Sequence, residues 1–150
     1  MKDLVIDASV VLKWYLTDEE WGQEAISILE RYVAGELTLF APPILLYEVS
    51  SALIVAERRG RIAQETTQNA LQGFFDLGIT FCDPFVDVSN VLFFSRSFHR
   101  SVYDASYLAV AAGQGIEFLT GDKRLYHAVK DDLKWVKWIG EGDQGLGVGG

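Results

Sequence analysis

Two short apolar runs in this chain each end on an aspartate, and helical patterns alternate with strand patterns between them. Leu4-Val5-Ile6 runs into Asp7, and Ile116-Glu117-Phe118-Leu119 runs through Thr120-Gly121 into Asp122. Each run is too brief for a helix and reads as a buried strand, so each acid falls at a strand's C-terminal tip. Further strands are predicted at Leu37–Ala41 and 79–82, with an edge strand at 135–139. Helices are predicted over about 18–34, opened by a Thr17/Glu20 capping box, then 43–58, 62–77, from Asp83-Pro84 to about 98, 101–112 and 123–129. This alternation predicts an α/β domain with a parallel sheet and helices on both faces. In such sheets ligands bind outside the carboxyl ends of the strands, where the winding reverses.

Two further acids come from helices. Glu48 lies in a segment, 43–56, that is otherwise apolar almost all round, with no basic residue within a turn. A carboxylate in that setting requires a partner or a cation. Asp104 lies in the 101–112 helix. Each acid also has a local explanation: Ser101 and Asp104 form a capping box, Asp122 is an N-cap, and Asp7 is a turn residue after a strand. All of these must hold together for the site to vanish. Asp83 is assigned to capping. Carboxylates held close repel one another unless a divalent cation sits among them, and hard oxygen ligands with open water positions suit Mg²⁺ or Mn²⁺. Such an ion lowers the pKa of a bound water and stabilises charge at phosphorus, which is hydrolytic phosphodiester chemistry. The hydroxyls of Ser9 and Thr120 are placed either to orient carboxylates or to make turn and cap bonds.

Composition narrows the classes. At 150 residues and 49% hydrophobic, the chain is the size of one domain with a sizeable core. Cys82 has no second cysteine, and with only His99 and His127 besides, neither an internal disulfide nor a Cys/His zinc array can be written. A reducing cytoplasm is expected, with neither a signal peptide nor a membrane span. A net charge of -8 argues against broad, non-specific attraction to nucleic acid, so a nucleic-acid substrate requires cations to offset local charge. From Gly140 on, six of eleven residues are glycine; a folded domain is expected over 1–139 and a disordered tail over 140–150.

Four segments together resemble the PIN domain, and within it the short VapC-type toxins: Val5-Ile6-Asp7-Ala8-Ser9, Tyr47-Glu48-Val49 with Ala52-Leu53, Tyr103-Asp104-Ala105-Ser106-Tyr107-Leu108-Ala109, and Leu119-Thr120-Gly121-Asp122-Lys123-Arg124-Leu125. The resemblance spans residues 2 to about 139. It implies a three-layer α/β/α sandwich with a central, mostly parallel sheet and an Mg²⁺- or Mn²⁺-dependent endoribonuclease. It also implies restraint by a cognate, VapB-type antitoxin encoded beside it. The family's four acids, catalytic and metal-binding, fall on Asp7, Glu48, Asp104 and Asp122, and its hydroxyl positions on Ser9 and Thr120. Ser51 stands where many members carry Asn, which bears on a supporting contact rather than on the acids. Arg96, Arg100 and Lys123 read first as a solvated surface, with RNA contact as the second reading. Leftover apolar surface is expected to support a homodimer. A PIN-like nuclease for RNA maturation or DNA, and a non-catalytic α/β interaction protein with a structural metal cluster, stand as alternatives.

Overall fold

The computed structural model describes residues 1–146, and the side chains of 143 and 144 are not among what it describes. Among the described residues, five strands form one sheet: β1 (Lys2–Ile6), β2 (Leu37–Ala41), β3 (Thr80–Phe81), β4 (Glu117–Thr120) and β5 (Val136–Trp138). Their order is β3-β2-β1-β4-β5, and every pairing is parallel. The helices are α1 (Ala8–Tyr15), α2 (Gly22–Val33), α3 (Ile44–Arg58), α4 (Gln64–Asp76), α5 (Val88–Phe98), α6 (Val102–Gln114) and α7 (Lys123–Val129).

The chain runs from β1 through β2 to β3 by way of α1–α4, then back across β1 to β4 and β5 by way of α5–α7, and because parallel crossovers are right-handed this reversal puts the two groups of helices on opposite faces. Accordingly α1 touches α2 and α3, α3 touches α4, and α5 packs on α6. The sandwich is α/β/α, as the alternation of patterns predicts. Leu4, Val5 and Ile6 of β1 and Phe118 and Leu119 of β4 have no exposed surface, because helices cover both faces of the central strands. The winding reverses between β1 and β4, so the crevice above their carboxyl ends is the natural ligand position.

Three local expectations are corrected. A helix, α1, starts directly at Ala8, in a run whose valines and aromatic residues obscure helical character; burial of Val10, Val11 and Trp14 stabilises it instead of propensity. The next helix begins at Gly22 and not near Asp18: Trp21, at φ 63, takes the left-handed conformation at its N-terminus, and its ring packs edge-on against Trp138. The Thr17/Glu20 capping box does not form, since Asp18 and Glu19 lie outside the helix and pair with Arg61. Finally, the chain beyond Trp138 continues as 3-10 turns over Ile139–Gly145 against α2, kinked at Gly142, and Leu146 packs on the core. Residues 140–146, assigned above to a disordered tail, thus have a described conformation; 147–150 lie outside the described residues.

Candidate metal centre

The parallel register decides what stands beside Asp7. Ile6 is paired with Leu119, so the next residues, Asp7 and Thr120, meet at the top of adjacent strands. Thr120 Oγ1 donates to Asp7 Oδ2 at 2.5 Å, and Ser9 Oγ, in the first turn of α1, donates to Oδ1 at 2.5 Å. The same two hydroxyl oxygens accept from the following loop: Gly121 N–H donates to Ser9 Oγ at 2.7 Å and Asp122 N–H to Thr120 Oγ1 at 3.0 Å. Gly121 lies close to this network, since a Cβ there would lie 2.9 Å from Lys13 Cε and 3.2 Å from Ser9 Oγ, so a side chain requires the end of Lys13 to shift. Asp7 is therefore not a turn-capping residue: it precedes α1 but its side chain caps nothing.

Of the other three acids, Asp122 and Asp104 keep local partners and Glu48 does not. Asp122 does cap α7, with Leu125 N–H donating to its Oδ1 at 3.1 Å. Asp104 N–H donates to Ser101 Oγ at 3.0 Å, forming half of the capping box, while its carboxylate turns to Arg100, whose Nε lies 3.3 Å from Oδ2. Glu48 accepts a hydrogen bond from Tyr107 of α6, a residue that a search for acids and hydroxyls at strand tips does not single out. The available signal was its spacing, three residues after Asp104, which places both on one face of α6. Asp83 caps as expected, accepting from Phe85 N–H at 2.8 Å.

Among the described residues, Asp7, Glu48 and Asp122 have no basic partner, and Asp104 has Arg100. The four acids nonetheless feel one another. Burial raises Asp7 from the ordinary 3.8 to about 7; the two hydroxyl hydrogen bonds oppose this, and the charges of Asp122 and Glu48 add to it. Glu48 is raised by burial and by Asp104 and Asp122, against the Tyr107 hydrogen bond. Asp104 is raised by burial and by Asp122, against the pull of Arg100. As the side chains stand, no three of these carboxylates are grouped tightly enough to enclose an ion. Their chemistry fits one all the same. Among the described residues, Glu48 Oε2, Asp104 Oδ1 and Asp122 Oδ2 carry no hydrogen bond, each carboxylate oxygen has lone pairs to spare, and the set is all hard oxygen.

The raised acids set a pH dependence for the metal-free protein. Over the interval from about 4 to 7 the folded chain holds a proton on Asp7 that the unfolded chain has released. The resulting stability is complete below the unfolded value and lost as pH rises through the folded one, at up to about 1.4 kcal/mol per pH unit. Glu48 and Asp104 act in the same direction. With chelator present, the melting temperature is expected to be higher at pH 5 than at pH 8. A flat or rising profile across that interval contradicts the burial of an unmatched Asp7.

Of the residues expected near RNA, Arg96 and Lys123 are exposed. Arg100 is half-buried: besides facing Asp104, it donates through Nη1 to the carbonyl of Arg124 at 3.4 Å, tying the loop before α6 to α7. His99 ends α5 in the left-handed conformation, at φ 51, and both histidines are exposed. Ser51 is exposed on α3. Lys13, one of several scattered basic residues, is only 8% exposed.

The sheet and its flanking helices have counterparts in known proteins. Ribonuclease VapC3 of Pyrobaculum aerophilum is 29% identical over 124 residues, covering 81% of this chain and 91% of that protein. The crystal structure of PAE2754, also from Pyrobaculum aerophilum, superposes with a TM-score of 0.67 at 22% identity over 93% of this chain and 92% of that one. VapC20 of Mycobacterium tuberculosis, a sarcin-ricin loop cleaving toxin, superposes with a TM-score of 0.59 at 14% identity over 83% of this chain and 94% of its own. At such identities the two structures speak for the fold. The PIN domain model matches residues 4–131, most of the chain, and this protein belongs to the PIN domain family.

Proposed function

We propose that this protein is a divalent-metal-dependent endoribonuclease acting as the toxin of a toxin-antitoxin pair, with Asp7, Glu48, Asp104 and Asp122 as its metal-binding and catalytic acids. The observation that carries this reading is the placement of Asp7 and Asp122 at the carboxyl ends of the adjacent strands β1 and β4, joined through Ser9 and Thr120, with Asp7, Glu48 and Asp122 lacking a basic partner among the described residues. Membership of the PIN domain family and the likeness to Ribonuclease VapC3 support the choice of RNA and of the toxin role.

A divalent cation bound among these acids supplies charge stabilisation for a phosphodiester and a water of lowered pKa. Hard carboxylate donors suit Mg²⁺ first and Mn²⁺ as a close substitute. The chain's own part is placement. Ser9 and Thr120 hold both oxygens of Asp7, and through Thr120 the backbone of Asp122 is tied to the same point. Arg100 stands at Asp104, and Arg96 and Lys123 are exposed to meet RNA phosphates, which gives affinity without choice of sequence. With a net charge of -8, binding relies on these few side chains and on the cation.

Partners follow from the surface. Ile44, Phe85, Val102 and Tyr103 line an apolar groove of about 270 Å³ beside the start of α6, where Phe85 is 50% and Tyr103 59% exposed. In this reading a VapB-type antitoxin lays an apolar segment along such a groove and directs a basic side chain at the acids. Exposed apolar side chains such as Val86 and Phe93 supply a homodimer contact. Among the described residues no helix is long and apolar enough to cross a membrane, and the one cysteine is free, which agrees with a cytoplasmic toxin.

The test is incubation of the purified protein with defined transfer, ribosomal and messenger RNAs in Mg²⁺ or Mn²⁺, followed by mapping of the cut ends. Water attack predicts 5′-phosphate and 3′-hydroxyl products and complete loss of cutting in excess chelator. Cutting that survives exhaustive chelation, or 2′,3′-cyclic phosphate ends, would falsify the mechanism. Co-expression with the neighbouring reading frame should suppress the activity, and failure to bind or restrain removes the toxin role while leaving the nuclease.

A further inference from the structure

Glu48 is held in the cluster by a phenol. It projects from α3 with a half-buried side chain, and both Asp104 and Asp122 act on it with like charge. A glutamate has three side-chain torsions, so repulsion alone would turn its carboxylate away from the other acids toward water. The restraint comes from Tyr107, whose hydroxyl donates to Oε1. Tyr107 is itself rigid: it is 2% exposed, and its ring stacks on Phe118 of β4 at 5.8 Å between centroids and 8° between planes. A buried phenol requires a hydrogen-bond partner, and here that partner is an acid on a helix from the opposite face of the sheet. Its backbone position is set by α6, which carries Asp104 one turn earlier. One residue thus links the second acid to the helix of the third and to the strand that ends near the fourth.

We propose that Tyr107 is a positioning residue for the metal centre: its hydroxyl holds Glu48 Oε1 and so leaves Oε2 as the oxygen available to a cation. This rests on the reading of Glu48 as a metal ligand. A hydrogen bond that orients a ligand typically accounts for a 10- to 100-fold effect on metal affinity or activity. Tyr107→Phe removes the hydroxyl and keeps the ring on Phe118.

The experiment is Mn²⁺ binding by isothermal titration calorimetry to the wild type, Tyr107→Phe, Glu48→Gln and the double variant, with a thermal melt of each in chelator. Wild type should bind, and Tyr107→Phe should bind about 10- to 100-fold more weakly. In the Glu48→Gln background the same change should cost nothing further, because the hydroxyl acts through that carboxylate. A Tyr107→Phe protein that melts lower in chelator yet binds Mn²⁺ as the wild type does assigns the hydroxyl to the fold alone and overturns the proposal. Failure of that variant to fold has the same meaning. An undiminished further loss in the Glu48→Gln background also overturns it, since Tyr107 then acts by another route. If the wild type takes up no Mn²⁺, or Glu48→Gln binds as well as the wild type, the metal-ligand reading of Glu48 falls first and this role with it.

Discussion

Asp7→Asn is expected to abolish RNA cleavage and, above pH 7, to make the metal-free protein more stable. The loss of activity should exceed about 100-fold, more than removal of an outer hydrogen-bond partner costs, because in the proposed reading a metal ligand itself is removed. The stability change is decided by two opposed magnitudes. Ionised Asp7 is buried without a basic partner, and its rise from 3.8 to about 7 corresponds to a penalty of roughly 4 kcal/mol for the charged form. Against this, an amide keeps one acceptor but turns an NH₂ toward a hydroxyl that was donating. Ser9 Oγ and Thr120 Oγ1 lie 3.5 Å apart, so one of them can redirect its proton to the other. That rearrangement costs about 1 kcal/mol, the worth of a typical hydrogen bond. Burial of the charge wins at pH 8, whereas below about pH 4 the native acid is neutral and the variant gains nothing. Melting curves in chelator at pH 4 and pH 8 for both proteins should therefore cross in rank. Mg²⁺ should raise the melting point of the wild type by linkage and leave the variant unmoved. An Asp7→Asn protein that is less stable at pH 8, still Mg²⁺-responsive and still active removes Asp7 from the site.

Thr120→Val is expected to cost roughly 2–6 kcal/mol, although the two side chains have nearly the same shape. Thr120 has no exposed surface, and its hydroxyl does two jobs: it donates to Asp7 Oδ2 at 2.5 Å and accepts from Asp122 N–H at 3.0 Å. Replacing it with a methyl group leaves a carboxylate oxygen and a backbone N–H without partners, at about 1–3 kcal/mol each. Cleavage should fall about 10- to 100-fold, because Asp7 loses one of the two hydroxyls that hold it and the Asp122 loop loses its tether. Thr120→Ser separates the chemistry from the packing. It keeps the hydroxyl and gives up one buried methyl, about 1 kcal/mol, so activity should return to near the wild-type level while some instability remains. Denaturant unfolding at pH 8 with cleavage assays on all three proteins checks this. A Val variant as stable and active as the wild type would show that the network around Asp7 is idle.

The places of the four acids were legible from local pattern because strand tips and helix spacings are short-range properties. An apolar run of three to five residues ended by Asp implies a buried strand with an acid at its carboxyl end, whatever the rest of the chain does. Alternation with helical periods then leaves a parallel sheet as the arrangement that buries both kinds of element. By itself, the sequence determined the α/β architecture, most element positions, and which acids stand at strand tips and which on helices. It did not reveal α1, since valine, tryptophan and tyrosine score poorly as helix formers and only burial against the sheet compensates.

The tertiary structure decided which local explanation each acid kept and which it lost. Asp122 and Asp104 retain features of helix caps, while Asp7 does not cap, because the β1/β4 register sets Thr120, 113 positions away, against its carboxylate. Tyr107 reaches Glu48 across 59 positions, and no window of sequence contains both. Arg100 meets Asp104 at a spacing of four, but the turn of its backbone through His99 and its bond to the carbonyl of Arg124 are products of packing. The physical reason is one of range. Periodicity and capping act within a turn or two of chain, whereas the direction of a side chain at a sheet's edge depends on strand register and on helices that arrive from elsewhere in the sequence.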